Sequence, residues 1–281
     1  MRRLIVRYEK DIASSNIVDT FVARGGWAEA GVDDEGHRYL SKGDDMVIFL
    51  EHKHIRAENI DESAIRFGFR PDVVIFPSVH SAKSGIPALT VHPIGNYHEA
   101  LYGGESGRLA PTCPSVLSDM LRSIRRNCAI SEYNICFEAT HHGPYLKTPA
   151  MFLEIGSDES CWGRQDAADV QCQVLSEVTE LNDYVSVIGI GGGHYAPRFT
   201  ELALSCKVNF GHMLPNYQMD GFDDEDIARS IKSAMDASGT RLAYLHRKSM
   251  KGAQASRITA LAESVGCEFV KSEDFEKITE N

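Results

Sequence analysis

Between Asn134 and Ser157 the chain reads NICFEATHHGPYLKTPAMFLEIGS, a window that sets Glu138, His141, His142 and Glu154 between two short apolar runs. These residue types bind transition metals, or accept and return a proton near neutral pH. Two later turns carry the same signal. The apolar run Val185 to Ile190 leads into Gly191, Gly192 and Gly193 and then His194 and Tyr195, and the run Val208 to Gly211 ends on His212. Glycines after a strand let backbone approach a substrate closely. Strand ends on one sheet edge lie within about 5 Å of their neighbours. His141, His142, His194 and His212 are therefore expected to converge, with Glu138 or Glu154 completing the site. Imidazoles with a carboxylate suit zinc in an open geometry, where the metal lowers the pKa of bound water to about 7. The same groups without metal hydrolyse an ester if one His acts as general base and a carboxylate orients it. No spacing matches H-E-x-x-H, so both chemistries stay open.

The elements that must position these groups read as alternating apolar strands and amphipathic helices, the pattern of an α/β fold. Strands are expected at Leu4–Tyr8, Met46–Glu51, Val73–Pro77, Leu89–His92, Ile135–Ala139, Met151–Ile155, Val185–Ile190, Val208–Gly211, Leu242–Leu245 and Cys267–Val270, and helices at Ser115–Arg126, Ala167–Leu181, Asp224–Ala237 and Gln254–Val265. His80 and His92 also follow apolar runs and are expected to line the same edge, with Lys83 beside His80 as a substrate or phosphate contact. His52 and His54 flank Lys53 in a charged segment and read as surface groups. The run from Gly189 to Thr200 is not a dinucleotide fingerprint: His194 stands where the third glycine belongs, and Pro197 follows before a helix is established. No linker divides the chain, although the glycine-rich loop Tyr102–Gly107 is a place where two lobes of one domain, residues 1–281, would join.

Composition narrows the class. With 43% hydrophobic and 25% charged residues in 281, the chain builds an ordinary core. The opening MRRLIVRYEKD is charged too early for a signal peptide, and no apolar run reaches the roughly 18 residues of a membrane span, so a cytoplasmic protein is expected. Seven cysteines without a C-x-x-C pair encode neither a disulfide framework nor a cysteine zinc knuckle. A net charge of -11 excludes non-specific coating of nucleic acid, so any such contact is local. Of the two basic clusters, Arg122, Arg125 and Arg126 read as a solvated helix face. His246 to Lys251 with Arg257 lies at a strand-to-helix junction that suits phosphate.

The segments FEATHHGPYLKTPAMFLEIGS, GIGGGHYAPRFT and GHMLPNY, in that order, and the following Trp162 in its place after the first, resemble the signature blocks of the archaeal-and-plant type D-aminoacyl-tRNA deacylases. The resemblance spans residues 134 to 217. It implies a three-layer α/β/α sandwich with a mixed sheet, phosphorylase/hydrolase-like and related to peptidyl-tRNA hydrolase. It also implies a zinc-dependent, monomeric enzyme that cleaves the ester joining a D-amino acid to the terminal ribose of tRNA, with broad side-chain tolerance. On that footing His141, His142, His194 and Glu138 are expected to be catalytic, and zinc to be held by His141, His142, His194, Glu154 and His212. Gly191, Gly192 and Gly193 would face the oxyanion, Tyr195, His80 and Lys83 would contact substrate, and Lys248, Lys251 and Arg257 would clamp acceptor-end phosphates. A zinc amidohydrolase or carboxypeptidase of the same architecture, and a non-enzymatic tRNA-binding module, are the rival expectations.

Overall fold

The computed structural model describes residues 1–279. Its strands are β1 (Arg3–Tyr8), β2 (Ala28–Val32), β3 (Arg38–Lys42), β4 (Asp45–Leu50), β5 (Val73–Val79), β6 (Ala88–Pro93), β7 (Asn134–Phe137), β8 (Ala150–Gly156), β9 (Val185–Ile190), β10 (Val208–Leu214), β11 (Leu242–Leu245) and β12 (Glu268–Val270). The helices are α1 (Ile12–Ala23), α2 (Ile60–Arg66), α3 (Pro114–Asn127), α4 (Glu159–Trp162), α5 (Gln165–Glu177), α6 (Pro197–Ser205), α7 (Asp224–Ser238) and α8 (Gly252–Ser264). A mixed eight-stranded sheet runs β2-β3-β4-β1-β5-β8-β6-β7, and a second, four-stranded sheet runs β10-β9-β11-β12.

Period-two alternation decides what each face of the large sheet carries. Ile5, Ile75, Leu89, Val91, Ile135, Phe137, Met151, Leu153 and Ile155 point to one side, into a core that α1, α3 and α5 close and that continues to Val187 and Phe210 of the second sheet. Leu4, Val6, Val74, Phe76 and Phe152 point to the other, where α2 packs through Ile60 and Ala64. This is an α/β/α layering, as expected. Each such fully buried side chain contributes roughly 1.5–3 kcal/mol of burial free energy. The same alternation places Ser78, Thr90, His92, Cys136 and Glu154, all buried, on the α2 side. Of these, His92 and Glu154 belong to the site.

Several expectations change. The parallel strands after residue 185 do not extend the large sheet but form their own. The loop Tyr102–Gly107 lies between β6 and β7, neighbours in one sheet, so it does not join two lobes. It folds back instead: the Gly143 N–H donates to the Tyr102 carbonyl at 3.0 Å. A Cβ on Gly143 would sit 2.1 Å from the Gly104 nitrogen, so only glycine permits this approach. Pro197 opens α6 as its first residue, where its missing N–H costs nothing. Arg122 is not solvated: its guanidinium is buried and donates to the Ala203 carbonyl at 2.9 Å and to Asn209 Oδ1 at 3.0 Å. Among the described residues no helix is long and apolar enough to cross a membrane.

Candidate active site

The segment Glu138–His142 leaves β7 and is gripped by both sheets. The Glu138 N–H donates to the Val91 carbonyl at 3.0 Å, the Ala139 N–H to the His194 carbonyl at 2.7 Å and the Thr140 N–H to the Met213 carbonyl at 3.3 Å. His142 takes a left-handed backbone with φ 42°, a conformation that costs a non-glycine residue about 1 kcal/mol or more and that the surrounding bonds enforce. The turn thereby brings two imidazoles over the β6 and β8 side chains.

Glu138 and Glu154 are the centre. Glu138, fully buried, accepts from His194 Nε2 at 2.8 Å and lies 3.2 Å from His80 Nδ1 and 3.7 Å from His141 Nε2. Glu154 lies 3.5 Å from His80 Nδ1 and 3.7 Å from His92 Nε2. His80 therefore bridges the two carboxylates, and its Nε2 meets the Tyr195 hydroxyl at 3.0 Å. Trp162 fixes the same residue from behind, its indole N–H donating to the His80 carbonyl at 2.8 Å.

Charge divides unequally among these rings. Burial opposes protonation of His80, but the two carboxylates outweigh it and push the imidazole up to about 12. His92 is raised for the same reason, burial being offset by Glu154. Burial alone would raise Glu138, yet the bonds from His194 and His80 hold it well below the usual carboxylate range. Glu154 is likewise lowered against its burial by His80 and His92. The two carboxylates thus draw positive charge toward His80 and His92 and leave His141 and His142 disfavoured for it. Burial and the charge on His92 drive His141 well below its ordinary value and His142 down to about 4.

Tautomers follow from the main chain. His141 Nδ1–H donates to the Ala139 carbonyl at 2.8 Å and His142 Nδ1–H to the Gly143 carbonyl at 2.7 Å, so each leaves Nε2 as a bare lone pair. The two rings are 4.3 Å apart, and His141 is 4.9 Å from His194. His194 and His141 keep about a third and a quarter of their side chains exposed, which makes this the open side of the cluster. Ligand atoms of Glu138, His141 and His194 lie within 4.8 Å of one another, as do those of His92, His141 and His142 and those of His80, Glu138 and Glu154.

Other expected residues lie elsewhere. His212 is no ligand: it is fully buried, its Nε2–H donates to the Ala110 carbonyl at 2.9 Å, and its Nδ1 accepts from the Thr140 hydroxyl at 3.0 Å. Both nitrogens are spent holding the two sheets together. Gly191 and Gly192 are not free oxyanion donors, since their N–H groups donate to the Leu214 carbonyl and Ser249 Oγ at 2.8 Å each; Gly193 alone of the three has no acceptor among the described residues. Lys83 is exposed and makes no hydrogen bond or ion pair among the described residues. Arg257 is tied to Asp224 at 2.6 Å, while Lys248 and Lys251 are exposed. His54 is not a surface group but buried, 3.7 Å from the buried Asp11. Sequence reasoning missed Asp11 and Tyr217, whose hydroxyl lies 3.2 Å from His194 Nδ1.

Comparison with known proteins gives the family. A family model described as D-aminoacyl-tRNA deacylase matches residues 67–270. The D-aminoacyl-tRNA deacylase of Thermococcus onnurineus is 34% identical over 276 residues, covering 96% of this chain and 99% of that protein. That of Methanosarcina mazei is 33% identical over 272 residues, covering 94% and 90%. A crystal structure described as a conserved protein of unknown function superposes with a TM-score of 0.89 at 29% identity, covering 99% of both chains. With the family model spanning most of the chain and full-length relatives above 30% identity, this chain belongs to the D-aminoacyl-tRNA deacylase family.

Proposed function

We propose that the chain hydrolyses the ester between a D-amino acid and the terminal ribose of tRNA, releasing free tRNA and the D-amino acid, over a broad range of side chains and as a cytoplasmic monomer. The observation that carries this reading is the trio Glu138, His141 and His194, a buried carboxylate beneath two part-exposed imidazoles at the junction of the sheets. An aminoacyl ester is an activated acyl group, so its hydrolysis needs a positioned water, a base and a donor to the oxyanion. His141 offers the base: its Nδ1–H is committed to Ala139, it is neutral, and its free Nε2 lies on the open side. Glu138 orients the water and takes up charge as His141 becomes protonated. Gly193 is the loop amide left to stabilise the oxyanion.

The donor set also fits zinc. A carboxylate and two imidazoles are the three protein ligands of an open catalytic site, and the His141 and His194 Nε2 atoms both face one oxygen, Glu138 Oε2, at 3.7 and 2.8 Å. Glu138, His141 and His194 would hold the ion, with His194 shifting its proton to Nδ1, where the Tyr217 hydroxyl accepts it. When bound, zinc supplies Lewis-acid activation of water and of the ester carbonyl. His92 and Glu154, already paired, support the ligands from below. Lys248 and Lys251, exposed on the turn whose Ser249 hydroxyl holds the Gly192 N–H, would clamp acceptor-end phosphates. The test is turnover of D-tyrosyl-tRNA against L-tyrosyl-tRNA and a D-peptide ester. Release of D-tyrosine with little action on the other two is expected; absence of D-tyrosyl-tRNA hydrolysis overturns the reading.

A further inference from the structure

Beside the histidine cluster, on the α2 side of the sheet, lies a cavity of about 290 Å³ that the chemistry above does not use. His142 and Glu154 belong to both: one side of each faces the cluster, and both line the cavity wall. The opposite wall comes from the β1–α1 turn and the turn at residues 53–55, two segments far from the signature histidines in sequence.

The lining is sorted by chemistry. Tyr8, Ile55 and Phe152 give apolar surface, while Asp11 and Glu154, both buried, give carboxylates. Asp11 Oδ2 is held in place by the Ser78 hydroxyl at 3.0 Å and the Val79 N–H at 3.1 Å. Lys10 and Lys53 line it too, and both are exposed, so they stand where the cavity meets solvent. An acidic, partly apolar interior behind a cationic mouth complements one kind of group: a cation with an apolar appendage attached to a polyanion. An aminoacyl ester of RNA has that form, with its α-ammonium, its side chain and its phosphates.

We infer that this cavity is the aminoacyl subsite, in which the amino-acid side chain lies against Tyr8, Ile55 and Phe152, the α-ammonium faces Glu154 and Asp11, and the carbonyl is left at the His141 edge of the cluster. The inference rests on the proposed activity and adds what determines which amino acids are accepted: the space between Ile55 and Phe152. Ile55 is the residue through which to test it, because it is only half buried and belongs to the turn at residues 53–55, apart from the segments that carry Glu138, His141 and His194. The loop glycine Gly103 packs against its main-chain carbonyl, so the turn stays in place whatever side chain it carries.

The experiment measures kcat/KM of the full chain on D-tyrosyl-tRNA and D-alanyl-tRNA for the unsubstituted protein, Ile55→Trp and Ile55→Ala. Ile55→Trp is expected to lose at least tenfold on D-tyrosyl-tRNA and less than threefold on D-alanyl-tRNA, and Ile55→Ala to shift the ratio toward the larger substrate. An Ile55→Trp protein that loses nothing on either substrate overturns the subsite. If it loses equally on both, Ile55→Ala decides: an unchanged ratio overturns the subsite and a shift toward D-tyrosyl supports it. Failure of the proposed activity is read separately, as absence of turnover by the unsubstituted protein.

Discussion

Glu138 and His194 hold each other through adjacent atoms of two sheets: the His194 ring donates to the Glu138 carboxylate at 2.8 Å, and the next residue, Ala139, donates its N–H to the His194 carbonyl at 2.7 Å. Ring and main chain are thus fixed by consecutive residues of one turn. Glu138→Gln keeps the shape but removes the charge that His194, His80 and His141 surround. Deacylation is expected to fall by about 10²–10⁴-fold, the range of a lost acid-base group. Near-native activity with unchanged circular dichroism would remove Glu138 from the mechanism.

Tyr217 touches the reaction only through His194. Tyr217→Phe deletes the hydroxyl on Nδ1 while keeping the ring, so kcat is expected to drop about tenfold with KM for aminoacyl-tRNA unchanged, as for a lost outer partner of a ligand histidine. Zinc affinity, read by competition with a chromogenic chelator, is expected to weaken by a similar factor. A rise in KM alone would assign Tyr217 to substrate contact instead.

Metal removal separates the candidate ligands from the structural histidine. Dialysis against a chelator is expected to abolish turnover and added zinc to restore it. In the same test His141→Ala and His194→Ala should copurify with little zinc and His212→Gln with the full amount. Complete activity in protein shown by elemental analysis to be free of metal would defeat the zinc assignment and leave His141 as the base without it.

Much of this was legible in the residues and some was not, for reasons that differ. Strands such as β5 and β8 are largely apolar runs because they are buried on both faces, and such runs stand out in any sequence. β2 is missed because all but one of its residues are exposed. Its partner β3 carries only Tyr39 and Leu40 into the core. α1 is missed because Ser14, Ser15 and its β-branched residues are poor helix formers; what starts it is Asp11, capping the Ser14 N–H. In the site, strand-end histidines were visible as types. Their sorting was not, because His212 and His194 stand in similar Gly-His contexts, and only the third dimension shows that His212 lies within β10 with its ring turned to Ala110, while His194 follows β9 and turns to Glu138. Asp11 and His54 gave no signal at all, since their segments look charged and solvated until the β1–α1 turn is seen to close over them.

Charge reversal at the basic turn tests the RNA contact. Lys248→Glu with Lys251→Glu is expected to raise KM for aminoacyl-tRNA about tenfold or more while leaving kcat near its original value, and to flatten the dependence of KM on salt. Arg257→Glu breaks its exposed pair with Asp224, worth about 0–1 kcal/mol, and a long 3.5 Å bond to the Phe222 carbonyl, and should change KM less. Equal KM values across all three proteins would move the tRNA contact elsewhere.

His212 is one of several buried histidines, with His54 and His142, that tie the fold's stability to pH. Its ring is neutral by construction, because Nε2–H is given to Ala110 and Nδ1 is filled by the Thr140 proton, while Thr140 itself accepts from the Met213 N–H at 2.9 Å. Burial therefore pulls its pKa down to about 4, whereas the unfolded chain titrates at the ordinary histidine value of about 6.5. Between these values the unfolded state binds a proton that the native state refuses, so stability is whole above pH 6.5 and declines as pH falls toward 4. At about 1.4 kcal/mol per unit the decline from this residue reaches roughly 3 kcal/mol. His212→Gln is expected to cost about 1–3 kcal/mol at neutral pH through the lost bonds. It should also make Tm less dependent on pH between 6.5 and 4 than in the unsubstituted protein. Parallel Tm profiles for the two proteins across that window would show that the acid sensitivity originates in other groups, and that the Thr140–His212–Ala110 chain tolerates a proton.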